Sequence, residues 1–216
     1  MHLYGHWRSL ATYRVRVALK LKAIDAKIVA IDLLSKEHLG ERYHAINPQG
    51  LLPALEIDDG TVLFQSMAII EYLDEAFPDP PLLPIDLAGR AKVRGLAQII
   101  AADAHPLMVP RVRDYLTENI GLDSYGVKKW IDRFALPAFE AIEIFLRTQE
   151  HSGKYCYFDT PGLADIFLAS HVIGAGFFGC GLDPFPRIQK IYEACVGLEA
   201  FSSSHPLSQA GAPAHI

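Results

Sequence analysis

The sequence predicts a chain in two parts, an α/β domain followed by an all-helical domain. Short strand-like and helical segments alternate over the first part of the chain. Four prolines then fall within the seven residues from Pro78 to Pro84 and break any regular element. Beyond them, apolar residues recur at helical spacing. The predicted boundaries are an N-terminal domain at 1–78, a linker at 79–86 and a helical domain at 87–216.

The N-terminal domain begins with two strands and two helices. Residues 2–4 predict a short strand, and the β-branched residues 27–31 predict a second one. Residues 9–22 have helical apolar spacing, and their basic side chains predict a solvated outer face: Arg14, Arg16, Lys20 and Lys22. Residues 36–46 are weakly helical and stop at Asn47-Pro48, because the residue before a proline is pushed out of helical conformation.

A hairpin and a third helix complete this domain. Residues 54–57 and 61–64 flank Asp58-Asp59-Gly60, and two apolar runs around an Asp-Gly turn predict an antiparallel hairpin. Ser66 then predicts the N-cap of a helix that continues through Leu73. The predicted element order is therefore βαβα-ββα.

The second part is predicted to contain helices only. Residues 87–115 and 124–147 predict an antiparallel pair, and 165–173 predict a buried central helix. A further helix is expected at 187–196. The Ser-, Pro- and Ala-rich tail at 202–216 is expected to be loosely ordered.

The composition limits the possible partners. The net charge of −5 is mild and the basic residues are scattered, which argues against nucleic acid or an anionic membrane surface. Residues 166–182 approach the length of a membrane span, but four glycines favour a buried helix and a turn. The three cysteines form no Cys-x-x-Cys pair and have no zinc-ligand spacing. We therefore expect reduced thiols, a cytoplasmic location and no bound metal.

Three motifs resemble the zeta class of glutathione transferases, and the resemblance covers essentially the whole chain. Residues 7–16 read WRSLATYRVR, where the class usually carries Arg-Ser-Ser-Cys-Ser, an aromatic residue and Arg-Val-Arg. The second motif runs from Asn47-Pro48 through Leu52-Pro53 to Gln65-Ser66. The third is residues 161–165, PGLAD, with glycine where Ser or Thr is usual. The resemblance implies a thioredoxin-like N-terminal domain, an all-helical glutathione transferase C-terminal domain, glutathione as co-substrate and a homodimer.

Ser9 is the catalytic residue that the resemblance implies. A hydroxyl that donates to sulfur favours the thiolate by ~1.5–3 kcal/mol, and a helix N-terminus adds ~0.3–1 kcal/mol. At ~1.4 kcal/mol per unit, these effects lower the thiol pKa by roughly one to three units from about 8.5. Considered by itself, without the resemblance, Ser9 is more often an ordinary N-cap than a catalytic residue.

The resemblance implies further contacts with glutathione. Leu52, before a cis Pro53, offers its backbone to the cysteinyl part, and Gln65 and Ser66 receive the glutamyl carboxylate at a helix N-terminus. By themselves these residues are a loop proline and a helix cap. His105 joins this set because His105-Pro106-Leu107 is similar to the maleylpyruvate isomerases, although a lone histidine in an apolar helix is more often structural.

The acceptor-substrate pocket is implied at six positions: Arg8, Leu10, Ala11, His105, Arg111 and Phe177. Arg8 and Arg111 are cations suited to a carboxylate, although Arg8 alone is equally a solvated surface residue. Leu10 and Ala11 replace the second serine and the cysteine of the class motif. Phe177 aligns with an arginine of the family's sixth helix, which makes the predicted pocket more apolar.

Two enzymatic functions and one binding function stay open from the sequence. The first is glutathione-dependent cis–trans isomerisation of maleylacetoacetate or maleylpyruvate, which needs thiolate addition and cations for carboxylates. The second is conjugation of glutathione to a small apolar electrophile, which Leu10 and Phe177 favour. The third is a non-catalytic glutathione-binding protein, against which the intact Ser9 and Pro53 argue. Disulfide exchange needs a nucleophilic cysteine near the first helix, and residues 9–12 contain none.

Overall fold

The computed structural model describes residues 1–148 and 153–213, which divide into two compact units. The first unit comprises Met1–Pro81 together with the chain from Gly197 onward, and the helical unit comprises Leu82–Val196. The predicted order of an α/β part followed by helices is confirmed. The boundary at 87–216 differs, because residues 197–213, here called the C-terminal segment, pack with the first unit.

A four-stranded mixed sheet forms the centre of the first unit. Its strands are β1 (His2–Gly5), β2 (Lys27–Ala30), β3 (Ala54–Glu56) and β4 (Val62–Phe64), in the order β2-β1-β3-β4. β1 pairs parallel with β2 and antiparallel with β3, and β3 pairs antiparallel with β4. The predicted hairpin is therefore confirmed. Leu3 and Leu55 face each other across β1 and β3 and are fully buried, so they form part of the core.

The helices of the first unit are α1 (Leu10–Leu21), α2 (Glu41–His44) and α3 (Ser66–Ala76). The predicted helix at 36–46 is interrupted at Gly40, whose extended backbone separates a 3-10 turn from α2. The N-cap of α3 is Gln65, so the prediction that Ser66 is the cap is wrong by one residue. α1 packs against α3 and buries Tyr13 and Val17 with Ile69.

The predicted basic outer face of α1 is wrong. Arg14, Arg16 and Lys22 are 2%, 5% and 6% exposed, and among the four basic residues only Lys20 is exposed. The reason is that α1 is covered by α3 and by the C-terminal segment. Lys22 lies 2.8 Å from Asp74 and donates to the carbonyls of Phe77 and Pro80. Hydrogen-bond acceptors inside the protein therefore take the place of the water that would solvate this side chain on an exposed helix face.

The C-terminal segment is more ordered than its composition predicts. It contains α10 (Glu199–Ser202), which packs against α1, and a 3-10 turn at Pro206–Ser208. The Gln209 amide donates to the carbonyls of Ser203 and His205 at 2.8 and 3.0 Å. Residues 214–216 of the predicted loose tail lie outside the described residues.

The helical unit contains six α-helices and a π-helical turn among its described residues. They are α4 (Leu87–Gln98), the π-helical turn (Ile99–Ala104), α5 (His105–Met108), α6 (Pro110–Glu118), α7 (Ser124–Thr148), α8 (Leu163–Gly176) and α9 (Pro186–Val196). The predicted single helix at 87–115 is thus divided. Pro106 in α5 and Pro110 at the start of α6 lack the backbone N–H that would continue the helical hydrogen bonds. The π-helical turn directly precedes α5.

α8 is the buried central helix that the sequence predicts. Every residue from Leu163 to Ala175 is buried. α7 contributes Glu143, whose carboxylate accepts the N–H groups of Arg187 and Ile188 at 3.1 and 3.0 Å and so caps α9 from outside that helix. Within 1–148 and 153–213, no helix has the length and apolar character needed to cross a membrane.

The start of α8 is held by one buried carboxylate. Asp165 accepts the N–H of Gly162 at 2.8 Å and the N–H of Cys156 at 2.8 Å, and burial raises its pKa to about 6. Gly162 supplies no side chain to the cap. A Cβ at Gly162 would lie 2.7 Å from the Leu82 carbonyl oxygen, which also accepts the N–H of Leu163 at 2.9 Å. Glycine is therefore required here by the close approach of the Leu82 backbone.

Replacing Gly162 with threonine is expected to lower the free energy of unfolding by about 1–3 kcal/mol, because the new Cβ clashes with the backbone oxygen of Leu82. At an ordinary N-cap threonine and glycine are nearly equivalent, so a loss of this size is specific to this position. Equilibrium unfolding in urea measures the change. Gly95→Ala is the control: a Cβ there meets nothing within 4 Å, so a gain of about 0.5–1 kcal/mol is expected. A Gly162→Thr variant as stable as wild type contradicts the steric account.

Candidate functional site

Ser9 is placed at the N-terminus of α1 as its N-cap. Its backbone is extended, and its hydroxyl oxygen accepts the N–H of Thr12 at 3.2 Å. The Ser9 N–H donates to the carbonyl of His6 at 3.1 Å, which closes a turn before the helix. The hydroxyl oxygen accepts this bond with one lone pair, and the hydroxyl can still donate its own proton to a further acceptor. The first turn of α1 carries no acidic residue, so this end favours an anion.

The residues around Ser9 present both a cation and apolar surface. Arg8 is exposed, and its N–H donates to the Nδ1 atom of His6 at 3.2 Å. Leu10 and Ala11 are the first two residues of α1 and are half-buried. The structure thus brings Arg8, Ser9, Leu10 and Ala11 together at one helix end, as the motif predicts.

The loop before β3 is fixed from inside the unit. The Leu52–Pro53 peptide bond is cis, as the resemblance implies. The Leu51 carbonyl accepts the Tyr43 hydroxyl at 2.7 Å and the Asn47 amide at 2.8 Å. Asn47 is buried, and burial raises the pKa of Tyr43 to about 12, so this hydroxyl keeps its proton as a donor. Leu52 is half-buried beside this anchored carbonyl.

Gln65 has a strained backbone at the start of α3. Its φ angle is +68°, a region that non-glycine residues seldom adopt, and such residues cluster at functional sites. Its amide donates to the side-chain oxygen of Gln49 at 2.9 Å. Sequence reasoning missed both the strain and Gln49, since no sequence pattern marks a left-handed glutamine.

Ser66 begins α3 next to a buried cation. Ser66 is 6% exposed, and its hydroxyl oxygen lies 3.4 Å from an Nη atom of Arg14. Burial lowers the pKa of Arg14 to about 9, which leaves it charged at neutral pH. The first turn of α3 carries no acidic residue. The start of α3 therefore combines N–H donors, a hydroxyl and a nearby positive charge, which suits a carboxylate.

The helical unit holds the remaining predicted residues. His105 begins α5 directly after the π-helical turn and is half-buried, and the Trp130 indole donates to the Leu107 carbonyl at 2.8 Å and anchors this short helix. Arg111, at the start of α6, is exposed. Phe177 is the C-cap of α8 and is half-buried.

An arginine that sequence reasoning missed lies beside the end of α8. The Arg113 guanidinium carbon is 5.0 Å from the ring centroid of Phe178, and its Nε donates to the Met108 carbonyl at 3.1 Å. Phe177 and Phe178 therefore do not form a purely apolar end to α8, because α6 brings a cation to the second ring.

In the described part of the chain, the cysteine thiols are not activated as nucleophiles, and the possible metal-ligating side chains do not form a metal site. All three cysteines are free thiols, and burial raises the pKa values of Cys156 and Cys195. Cys180 donates to Asp132 at 3.2 Å, and burial raises its pKa to about 11. Over 1–148 and 153–213, no group of three or more His, Cys, Asp and Glu side chains could hold a metal ion.

Comparison with known proteins gives matches over the whole chain. The family model for the N-terminal domain of glutathione S-transferase matches residues 1–75. A maleylpyruvate isomerase from Ralstonia sp. is 40% identical over 209 residues, which cover 97% of this chain and 98% of that protein.

Two solved structures are similar in both fold and sequence. One is the holo structure of a maleylpyruvate isomerase, a bacterial glutathione S-transferase in the zeta class, with a TM-score of 0.96 and 39% identity over 99% of this chain and 100% of the other. The second is a maleylacetoacetate isomerase from Methylobacterium extorquens AM1 with bound malonate and glutathione. It has a TM-score of 0.95 and 41% identity over 99% of this chain and 100% of that chain.

Proposed function

Because the chain belongs to the zeta class of the glutathione S-transferase family, we propose that it is a glutathione-dependent cis–trans isomerase of a maleyl keto acid. Maleylpyruvate and maleylacetoacetate are the two substrates of this type, and its relatives are named for them. The single observation that carries the proposal is the Ser9 hydroxyl. It stands at a helix N-terminus, where its oxygen accepts the Thr12 N–H and its own proton can still be donated.

The Ser9 hydroxyl favours ionisation of the bound thiol by donating a hydrogen bond to the sulfur, which stabilises the thiolate left when the thiol proton is released to solvent. The hydroxyl and the N-terminal end of α1 together contribute about 2–4 kcal/mol in favour of the thiolate. This corresponds to roughly one to three units of thiol pKa, enough for a largely ionised sulfur at neutral pH. The absence of an acidic residue in the first turn of α1 supports this role.

Four further residues of the first unit are proposed to hold glutathione. The backbone of Leu52, before the cis Pro53, pairs with the cysteinyl part, and the Tyr43 and Asn47 contacts support this loop. Gln65 and Ser66 receive the glutamyl carboxylate at the start of α3, where Arg14 lies behind Ser66.

Bound glutathione supplies a thiolate that adds to one carbon of the cis double bond and is eliminated after rotation about the resulting single bond. The residues of this chain hold the substrate's carboxylates and the negative charge that develops beside them. We assign this role to Arg8, His105 and Arg111, of which Arg8 and Arg111 are exposed cations. His105 is also proposed to contact glutathione. The malonate in the relative from Methylobacterium extorquens is a small dicarboxylate, which supports a site for carboxylates.

Conjugation of glutathione to an apolar electrophile is the second candidate function. The observation that favours it is the aromatic pair Phe177 and Phe178 at the end of α8, together with Leu10 and Ala11 at the start of α1. These residues complete the proposed acceptor pocket. The same thiolate serves both reactions, so the acceptor residues decide between them.

We also propose that the protein is a cytoplasmic homodimer. Three free cysteines, two of them buried, support a reducing compartment. Large apolar side chains such as Phe64, Ile85 and Leu87 are 54%, 97% and 85% exposed, and a second copy of the chain would cover such surface.

Removing the Ser9 hydroxyl is expected to abolish the thiolate absorbance band of bound glutathione near neutral pH. Ser9→Ala should raise the apparent pKa of the bound thiol by roughly one to two units, because the hydroxyl's share is ~1.5–3 kcal/mol. Ultraviolet difference spectroscopy over a pH series measures this pKa. A band that survives in Ser9→Ala removes Ser9 from its assigned role.

The stability of the Ser9 variants provides the control. Ser9→Ala also loses the N-cap and about 1 kcal/mol of unfolding free energy, whereas Ser9→Gly loses only a few tenths. Ser9→Asp keeps the cap but places a negative charge beside the sulfur. All three variants should lose the band, although their stabilities differ, which separates thiol activation from helix capping.

Placing an arginine at Phe177 is expected to raise kcat/KM for maleylpyruvate by about tenfold, the effect of a charge-assisted hydrogen bond of ~1.5 kcal/mol. The same variant should lower the rate with a chlorodinitrobenzene acceptor. Phe177→Leu is the matched control, since it removes the ring without adding charge. No isomerase activity in the wild-type protein at any substrate concentration would leave conjugation as the function.

The homodimer is tested by sedimentation velocity. We expect a single species of about twice the 23.9 kDa chain mass at micromolar concentration. A species at the monomer mass across the concentration range contradicts the proposed assembly.

A further inference from the structure

Arg16 of α1 is a buried cation whose hydrogen bonds go to backbone carbonyls. It is 5% exposed, and burial lowers its pKa to about 10, so it stays charged at neutral pH. Its Nε and Nη2 atoms donate to the Ser204 carbonyl at 3.2 and 3.1 Å. Nη2 also donates to the Trp7 carbonyl at 3.3 Å, and Nη1 to the His6 carbonyl at 3.5 Å.

The carbonyls of His6 and Trp7 belong to the turn that delivers Ser9 to α1. The His6 carbonyl also accepts the N–H of Ser9 at 3.1 Å, so Arg16 and Ser9 share one acceptor. Arg16 thus holds this turn on one side, while Thr12 fixes the Ser9 hydroxyl on the other. The position of the Ser9 side chain depends on both contacts.

The other hydrogen bonds of the Arg16 guanidinium go to the C-terminal segment. Ser204 is fully buried and lies 188 positions from Arg16 in the sequence. The segment reaches the same turn a second time at Gly211, where an added Cβ would lie 3.5 Å from the Trp7 ring. Lys20 also contacts the segment, through the Ser203 hydroxyl at 2.6 Å, but this bond does not involve the turn.

We infer that Arg16 is a positioning residue for Ser9, and that it makes the C-terminal segment part of the apparatus that ionises glutathione. The inference rests on the proposed role of Ser9. Thiolate stabilisation by a hydroxyl depends on distance and angle, so a turn that shifts by a fraction of an ångström weakens it. The planar guanidinium fork of arginine can join the Ser204, Trp7 and His6 carbonyls, whereas a lysine offers a single nitrogen with a shorter reach.

Arg16→Lys tests this positioning because it keeps the positive charge and removes the fork. We expect the apparent pKa of the bound thiol to rise by about half a unit to one unit, a roughly three- to tenfold loss of thiolate below that pKa. Binding of S-methylglutathione, which has no ionisable thiol, should change less than about twofold by calorimetry. Faster amide exchange of residues 7–9 should accompany the change in pKa.

Arg16→Met removes the fork and the charge together and should raise the thiol pKa further. Lys20→Met is the matched control, since it removes a cation of the same helix that contacts the same segment, and its thiol pKa should equal that of wild type. If Arg16→Met fails to fold, the Arg16→Lys result decides. A thiol pKa that changes in Arg16→Met but not in Arg16→Lys overturns positioning and leaves only a charge effect.

Three further outcomes are distinguishable. If Ser9→Ala changes the thiol pKa and Arg16→Lys does not, the inference about Arg16 is wrong and the proposed function stands. If Ser9→Ala leaves the thiol pKa unchanged, the assigned role of Ser9 is wrong and this inference fails with it. An equal loss of thiolate in Arg16→Lys and in Lys20→Met indicates general loosening of the C-terminal segment and overturns a specific role for Arg16.

Discussion

The packing of the first unit depends on how three cations, two in α1 and one at its C-cap, are buried. A charged side chain removed from water is costly unless it is hydrogen-bonded, so each cation requires a partner at a fixed place. Arg14 lies against Ser66 at the start of α3, Arg16 against three carbonyls, and Lys22 against Asp74 and the chain that leaves α3. A helix that looks amphipathic is thus buried on both its apolar and its basic side. Its polar groups determine where the surrounding segments must lie.

This constraint connects stability with chemistry. The N-terminus of α1 carries Ser9, and the contact of Arg14 with Ser66 ties the same helix to the start of α3. The two helix ends proposed to bind glutathione are therefore joined by one buried side chain. Because a buried guanidinium cannot easily change partners, the arrangement is preorganised, and little ordering is left for the moment of binding.

Local patterns predicted the elements that depend on local contacts. The Asp58-Asp59-Gly60 hairpin and the buried helix α8 follow from spacing and turn chemistry alone. The burial of Arg16 could not be predicted in this way, since its acceptor is 188 residues distant. The same holds for the left-handed Gln65, because its conformation is imposed by the surrounding fold. The catalytic role proposed for Ser9 rests on its motif, because a lone serine carries no catalytic signal.

The end of α8 shows why a single substitution does not define a pocket. By the sequence resemblance Phe177 is expected to replace an arginine of the family, and taken alone it predicts an apolar surface. Yet Arg113 from α6 lies over the adjacent ring of Phe178, and its Nε is fixed by the Met108 carbonyl. A guanidinium held by a ring face and a carbonyl keeps its charge while losing rotational freedom. Positive charge is therefore kept near this helix end, although it comes from a different helix, and the acceptor preference depends on both residues together.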